Sequence, residues 1–150
     1  MSASPALTMS EALAFINKNP ACWLATCVDG QPHVRGMLMW FADETGVYFH
    51  TGTVKSLSDQ LLQNPKVEAA FFNPGGGAGA GRMIRVSGTV ERVHDPALEA
   101  RLVRERAWLK DMVAAQAAGR LHVFRIVHGE IRDWTMAINL HEKEQVPLRF

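Results

Sequence analysis

The chain has 150 residues, of which 47% are hydrophobic, and its 16 basic and 15 acidic residues leave a formal net charge of +1. This length predicts a single domain, residues 1–150, with a hydrophobic core of its own. The balanced charge argues against a dedicated nucleic-acid binder, which would normally carry a basic stripe. No apolar run is long enough to cross a membrane and no signal peptide is recognisable, so we expect a cytoplasmic protein.

Three helices are predicted along the chain. Thr8 and Glu11 have the spacing of a capping box, which indicates a helix over residues 10–17. A second helix is expected over residues 54–63, with Thr53 as its N-cap. Asp95-Pro96 begins a long third helix, which we expect to run from Ala97 to about Ala118 and to end at Gly119.

Runs of apolar and β-branched residues between turn signals predict the strands, over residues 22–28, 32–41, 47–50, 66–73, 83–94, 121–128 and 130–136. Asp29-Gly30 is the clearest hairpin signal, and a last hairpin is expected around His128-Gly129. Cys22 and Cys27 would face opposite sides of one strand, which makes a disulfide between them improbable. Six or seven strands joined mainly by short turns favour an antiparallel barrel or sandwich with flanking helices.

The strongest chemical signal lies where the third strand meets the second helix. A Thr51-Gly52 turn is followed by Lys55 and Ser56 near the start of that helix. Helix N-termini attract phosphate through free N–H groups and the helix dipole, and a nearby lysine adds a full charge. Arg35 on a neighbouring strand could add a second charge. The alternative is that Arg35 and Lys55 are ordinary surface charges and that Thr51 and Ser56 are turn and cap residues.

Other constellations carry less information. The PGGGAGAG run lacks the following helix that a dinucleotide-binding fingerprint requires, and is read as a hairpin loop. The six histidines show no zinc-binding spacing, so no metal site is predicted. No acid–base pair or nucleophile stands out, which suits a protein whose chemistry is done by a cofactor.

Four segments, taken in order, resemble the flavin-binding split-barrel family typified by pyridoxamine 5'-phosphate oxidase, especially small bacterial members related to general stress and nitroimidazole-resistance proteins. The segments are WLATCVDGQPHVRGMLMWF, GVYFHTGTVKSLSDQLLQNPKVEAAFF, MIRVSGTVERVHDP and VHGEIRDW. The resemblance implies a mainly β, six-stranded antiparallel split barrel with flanking helices. It also implies a homodimer with two FMN molecules at the subunit interface.

The resemblance assigns roles to individual residues. Arg35 would lie near the flavin phosphate and ribityl chain, and the segment from Gly36 to Leu38 would run beside the isoalloxazine edge. Trp134 would reach the flavin from the partner subunit. The complete set of expected FMN-binding residues is Arg35, Gly36, Met37, Leu38, Thr51, Gly52, Lys55, Ser56 and Trp134.

This chain also departs from the oxidase. TMAINLHEKEQVPLRF follows the late tryptophan and lacks the oxidase's Arg–His substrate motif, and Met83 stands near the position of a flavin-contacting Gln. We therefore expect an FMN-dependent oxidoreductase that acts on an unidentified small molecule rather than on pyridoxamine phosphate. The alternatives are a non-catalytic flavin-binding or stress-response module, a haem-binding relative on the same fold, and a deazaflavin in place of FMN.

Overall fold

A computed structural model describes residues 6–115 and 121–150 of the protein. Its helices are α1 (Met9–Lys18), α2 (Ser56–Gln63), α3 (Pro96–Glu105) and α4 (Trp108–Ala115), with a 3₁₀ segment over Met136–Glu144. The strands are β1 (Ala21–Val28), β2 (Gln31–Leu38), β3 (Phe41–Asp43), β4 (Gly46–Gly52), β5 (Lys66–Asn73), β6 (Arg82–Val93), β7 (Leu121–Thr135) and β8 (Leu148–Arg149).

The strands form one antiparallel sheet in the order β2-β1-β5-β6-β7-β4-β3, with β8 beside β7. β2 and β3 stand at opposite ends of this path, yet only Met39 and Trp40 separate them in the chain. The sheet must therefore curl until its two ends meet. Met39 N–H donates to Pro20 O and Trp40 N–H donates to Tyr48 O, so the link bridges both edges.

This architecture confirms the predicted antiparallel split barrel with flanking helices. The expected count of six strands is wrong, because the described residues form a sheet of eight strands. The predicted strand over residues 32–41 ends at Leu38, and Phe41 begins the separate strand β3. The second additional strand, β8, comes from the C-terminal segment, over which no strand is predicted.

Alternating side chains build the barrel core. Leu24, Phe49, Phe71, Ile84 and Phe124 point inward, and each is at most 1% exposed. The capping box at Thr8 and Glu11 is present and begins α1, whose Ile16 closes one side of this core. Both cysteines are free, as expected from their opposite faces.

The predicted hairpin around His128-Gly129 is wrong, because β7 runs continuously over 15 residues. His128 has a positive φ of 53°, a backbone conformation that is also common in turns. The pairing with β6 shifts between Ser87 and Thr89, so His128 and Gly129 together oppose Gly88 in a β-bulge. The chain bends at this point instead of reversing.

Two helix predictions also need correction. α2 begins at Ser56 with Lys55 as its N-cap, so Thr53 is not the cap. The predicted long third helix is divided into α3 and α4 at Arg106, whose backbone angles are not helical. Residues 116–118 of that prediction lie outside the described residues. Among residues 6–115 and 121–150, no helix has the length and apolar character needed to span a membrane.

Candidate functional site

The junction between β4 and α2 has the properties of an anion site. Thr51 is buried at the end of β4, and Gly52 leads into a turn in which Lys55 N–H donates to Gly52 O at 3.1 Å. The N-cap Lys55 makes no side-chain cap hydrogen bond, and no side chain of the described residues accepts from the first-turn N–H groups, of which Ser58 N–H donates to Lys55 O at 3.0 Å. Lys55 and Ser56 are both exposed at this end. Free helix amides beside an exposed ammonium group favour binding of a phosphate.

Arg35 reaches α2 from the neighbouring part of the sheet. Its guanidinium donates to Thr26 Oγ1 at 2.9 Å and also to Gln60 Oε1, and Thr26 Oγ1 donates to the same Gln60 oxygen at 2.8 Å. Burial lowers the pKa of Arg35, although an arginine remains charged at physiological pH. The structure thus joins β2, β1 and the middle of α2 through one arginine. Sequence reasoning missed Thr26 and Gln60, although Thr26 is a polar residue within an otherwise apolar strand.

The predicted isoalloxazine segment divides between the two faces of β2. Met37 packs against the core, whereas Gly36 lies beside Trp23 on the outer face, and a Cβ added at Gly36 would stand 3.7 Å from the Trp23 ring. Leu38 is also exposed on that outer face. The indole ring packs close to Gly36, which is itself exposed on this face.

We define the outward face as the exposed apolar surface formed by Trp23, Val34, Leu38 and Phe72. Each of these side chains is between 50% and 63% exposed. The strand register places all four on one side of the sheet. Trp23, Leu38 and Phe72 also line a groove of about 400 Å³. A contiguous exposed apolar surface of this kind marks an interaction site.

Trp134 belongs to the same side of the sheet, since it pairs with Met83, which in turn pairs with Phe72. Its indole N–H donates to Asn139 Oδ1 at 2.9 Å. The structure does not bring Trp134 together with Arg35, whose side chain projects from the opposite side of the sheet toward α2. The two residues can serve one site only if two chains contribute to it.

His50 and Arg106 form a further cluster that the sequence analysis missed. The Arg106 guanidinium contacts His50 Nε2 at 2.8 Å, and the Trp108 ring lies 6.3 Å from the imidazole. Burial, followed by the charges of Arg106 and Lys55, lowers the pKa of His50 to about 4. His50 is therefore neutral at physiological pH. Its position directly before Thr51 was the only sequence signal that could have indicated it.

The fold is that of a split-barrel protein, and this geometry defines a candidate anion site at a helix N-terminus. Residues 8–135 match the sequence model of the pyridoxamine 5'-phosphate oxidase family. The chain belongs to that family. The match covers β1 to β7, and it confirms the family resemblance carried by the four sequence segments.

Individual relatives agree with this assignment. The chain is 36% identical over 74 residues to a pyridoxine/pyridoxamine 5'-phosphate oxidase of Pseudomonas paraeruginosa, a match over 49% of this chain and 33% of that protein. The alignment thus spans about a third of the length of the curated relatives.

Solved structures share the fold. A NimC/NimA family protein of Clostridium acetobutylicum superposes with a TM-score of 0.70 at 26% identity, over 87% of this chain and 89% of that one. A FAD-binding protein of Mycobacterium smegmatis superposes with a TM-score of 0.62 at 18% identity, over 86% and 97% of the two chains. At that identity the second likeness concerns the fold alone.

Proposed function

We propose that this protein binds FMN and acts as a cytoplasmic oxidoreductase on a small molecule through the bound flavin. The observation that carries the proposal is the N-terminus of α2, where the N-cap residue Lys55 makes no side-chain cap hydrogen bond, in a chain of the pyridoxamine 5'-phosphate oxidase family. A flavin phosphate fits this place because it would accept hydrogen bonds from the free N–H groups and neutralise the charge of the lysine. The FAD-binding neighbour and the oxidase relatives support a flavin as the cofactor.

The remaining predicted residues would hold the other parts of FMN. Arg35 would contact the phosphate and ribityl chain, and the backbone of the segment from Gly36 to Leu38 would run along the isoalloxazine edge. A Cβ at Gly52 would meet nothing within 4 Å, so the turn beside Lys55 has room for a ligand. Bound FMN would supply hydride or electron transfer, whereas the chain binds and orients the flavin.

The spectrum of the purified protein and a turnover assay test this function. We expect flavin absorption bands, saturable quenching of added FMN fluorescence, and steady consumption of NAD(P)H when an acceptor is present. Flavin binding without turnover would support a non-catalytic flavin-binding module instead. Absorption in the Soret region without FMN binding would contradict the proposal and favour a haem-binding relative.

We further propose that the protein is a homodimer in which the outward face is covered by a second copy of the chain. This face contains four large exposed apolar side chains, and the register extends it to Trp134. A second chain would bury the apolar groove and bring Trp134 of one subunit toward the FMN site of the other. An indole combines a large apolar surface with one N–H donor, which suits a contact with the flavin.

Placing a charge on the outward face should break the dimer. We expect Trp23→Glu to convert the protein to a monomer and to weaken FMN binding, because the site would lose the partner's residues. Light scattering at micromolar concentration measures the mass, and fluorescence titration measures the affinity. Leu62→Glu is the matched control, since Leu62 on α2 is 61% exposed and lies off this face. A wild-type monomer that still binds FMN would contradict the shared site.

A further inference from the structure

We propose that Arg106 is a positioning residue of the FMN site. It lies at the junction between α3 and α4, where it fixes the end of β2 and orients the His50 imidazole so that Nδ1 carries the proton and can donate a hydrogen bond. The effect on FMN rests on the proposed function, whereas the arrangement of His50 can be tested without FMN. Arg106 lies outside all four segments that carried the family resemblance.

The contacts of Arg106 reach two separate parts of the barrel. One guanidinium nitrogen donates to Leu38 O at 3.3 Å and contacts His50 Nε2 at 2.8 Å, and the other donates to Met39 O at 2.6 Å. Among the described strands β2 pairs with β1 alone, so strand hydrogen bonds within this part of the chain support β2 from one side. Arg106 thus fixes the backbone where the predicted isoalloxazine segment ends.

The same contact determines the tautomer of His50. A guanidinium has donors and no acceptor, so Nε2 of His50 must accept from Arg106. A neutral imidazole then carries its proton on Nδ1, and among the described residues none is hydrogen-bonded to that nitrogen. The low pKa of His50 keeps this form across the physiological range. His50 therefore offers a hydrogen-bond donor rather than an acid–base group.

The Nδ1–H donor of His50 belongs to the residue next to the predicted FMN site. His50 directly precedes Thr51 on β4, and the charge of Lys55 contributes to its pKa. Arg106 thus connects the end of the predicted isoalloxazine segment on β2 with His50 on β4, the residue directly before Thr51 of the predicted phosphate site. An acceptor oxygen of the cofactor is the chemical group that an Nδ1–H beside a lysine would bind.

Other contacts attach α3 to the barrel, so loss of Arg106 need not unfold the protein. Trp40 Nε1–H donates to Glu105 Oε2 at 2.7 Å, and the Arg101 guanidinium lies 4.5 Å from the centre of the Phe41 ring. Arg106→Gln is therefore a usable variant. Arg104→Gln is its matched control, because Arg104 is an exposed arginine of the same helix.

The first measurement uses the protein without FMN. Long-range ¹H–¹⁵N NMR of wild-type His50 should find the proton on Nδ1. In Arg106→Gln we expect exchange between both tautomers and a pKa of His50 that rises by about one pH unit, since a nearby positive charge is removed. Arg104→Gln should match the wild type. A wild-type proton on Nε2, or an unchanged His50 in Arg106→Gln, would overturn the proposal.

The second measurement tests the link to the cofactor. FMN affinity should fall about fivefold in Arg106→Gln, the effect expected for one lost hydrogen bond, and should not change in Arg104→Gln. A changed tautomer with unchanged FMN affinity would remove Arg106 from the site. Failure of the wild type to bind FMN, with His50 as described, would instead overturn the proposed function and leave the assignment of His50 standing.

Discussion

Gly129→Ala is expected to lower the free energy of unfolding by about 3 kcal/mol, which is a large effect for one added methyl group. An alanine Cβ at this position would lie 1.7 Å from Ser87 O and 2.7 Å from the Gly88 Cα. Both atoms belong to the backbone of β6, so no change of rotamer can relieve the overlap. β6 and β7 would have to separate at the bulge, where the longest strand of the sheet bends.

Urea denaturation followed by tryptophan fluorescence measures this change. Gly76→Ala is the matched control, because a Cβ there meets nothing within 4 Å. We expect that control to stay within about 0.5 kcal/mol of the wild type. Equal stability of Gly129→Ala and the control would mean that the two strands accommodate a side chain at the bulge, in contradiction to the described packing.

The bulge also explains where sequence reasoning about the fold failed. β1 and β5 could be predicted because their buried residues alternate with more exposed residues of the other face. His128-Gly129 has the composition of a turn, and a left-handed residue followed by glycine serves a bulge as well as a hairpin. Only the pairing with β6 distinguishes the two, and that pairing is not local in sequence.

The site shows the same division between local and distant information. The proximity of Lys55 to Thr51 could be predicted because both occupy one strand–turn–helix segment. The interpretation of Lys55 needs only a small change, from the first helical turn to the N-cap. Gln60 contacts Arg35 across 25 residues, and Arg106 contacts Met39 across 67 residues. Contacts over such separations depend on the closure of the barrel, which no local pattern specifies.

Lys55→Ala is expected to weaken FMN binding at least tenfold. The substitution removes a charge-assisted contact with the phosphate, worth ~1.5–3 kcal/mol, at a helix end that has no side-chain cap. Lys55 is exposed, so the fold should lose little stability. Fluorescence titration with FMN measures the dissociation constant, and Lys66→Ala controls for the loss of one exposed lysine near the other end of α2.

Riboflavin distinguishes the phosphate from the rest of the cofactor, since it carries the same ring and ribityl chain without the phosphate. If Lys55 holds the phosphate, Lys55→Ala should lose affinity for FMN and keep that for riboflavin. The two ligands should then bind the variant with more similar affinities than they bind the wild type. An equal loss for both ligands would place Lys55 against another part of the flavin, and no loss for either would remove it from the site. The ratio of the two affinities therefore tests the phosphate contact itself, independently of how tightly the barrel holds the ring.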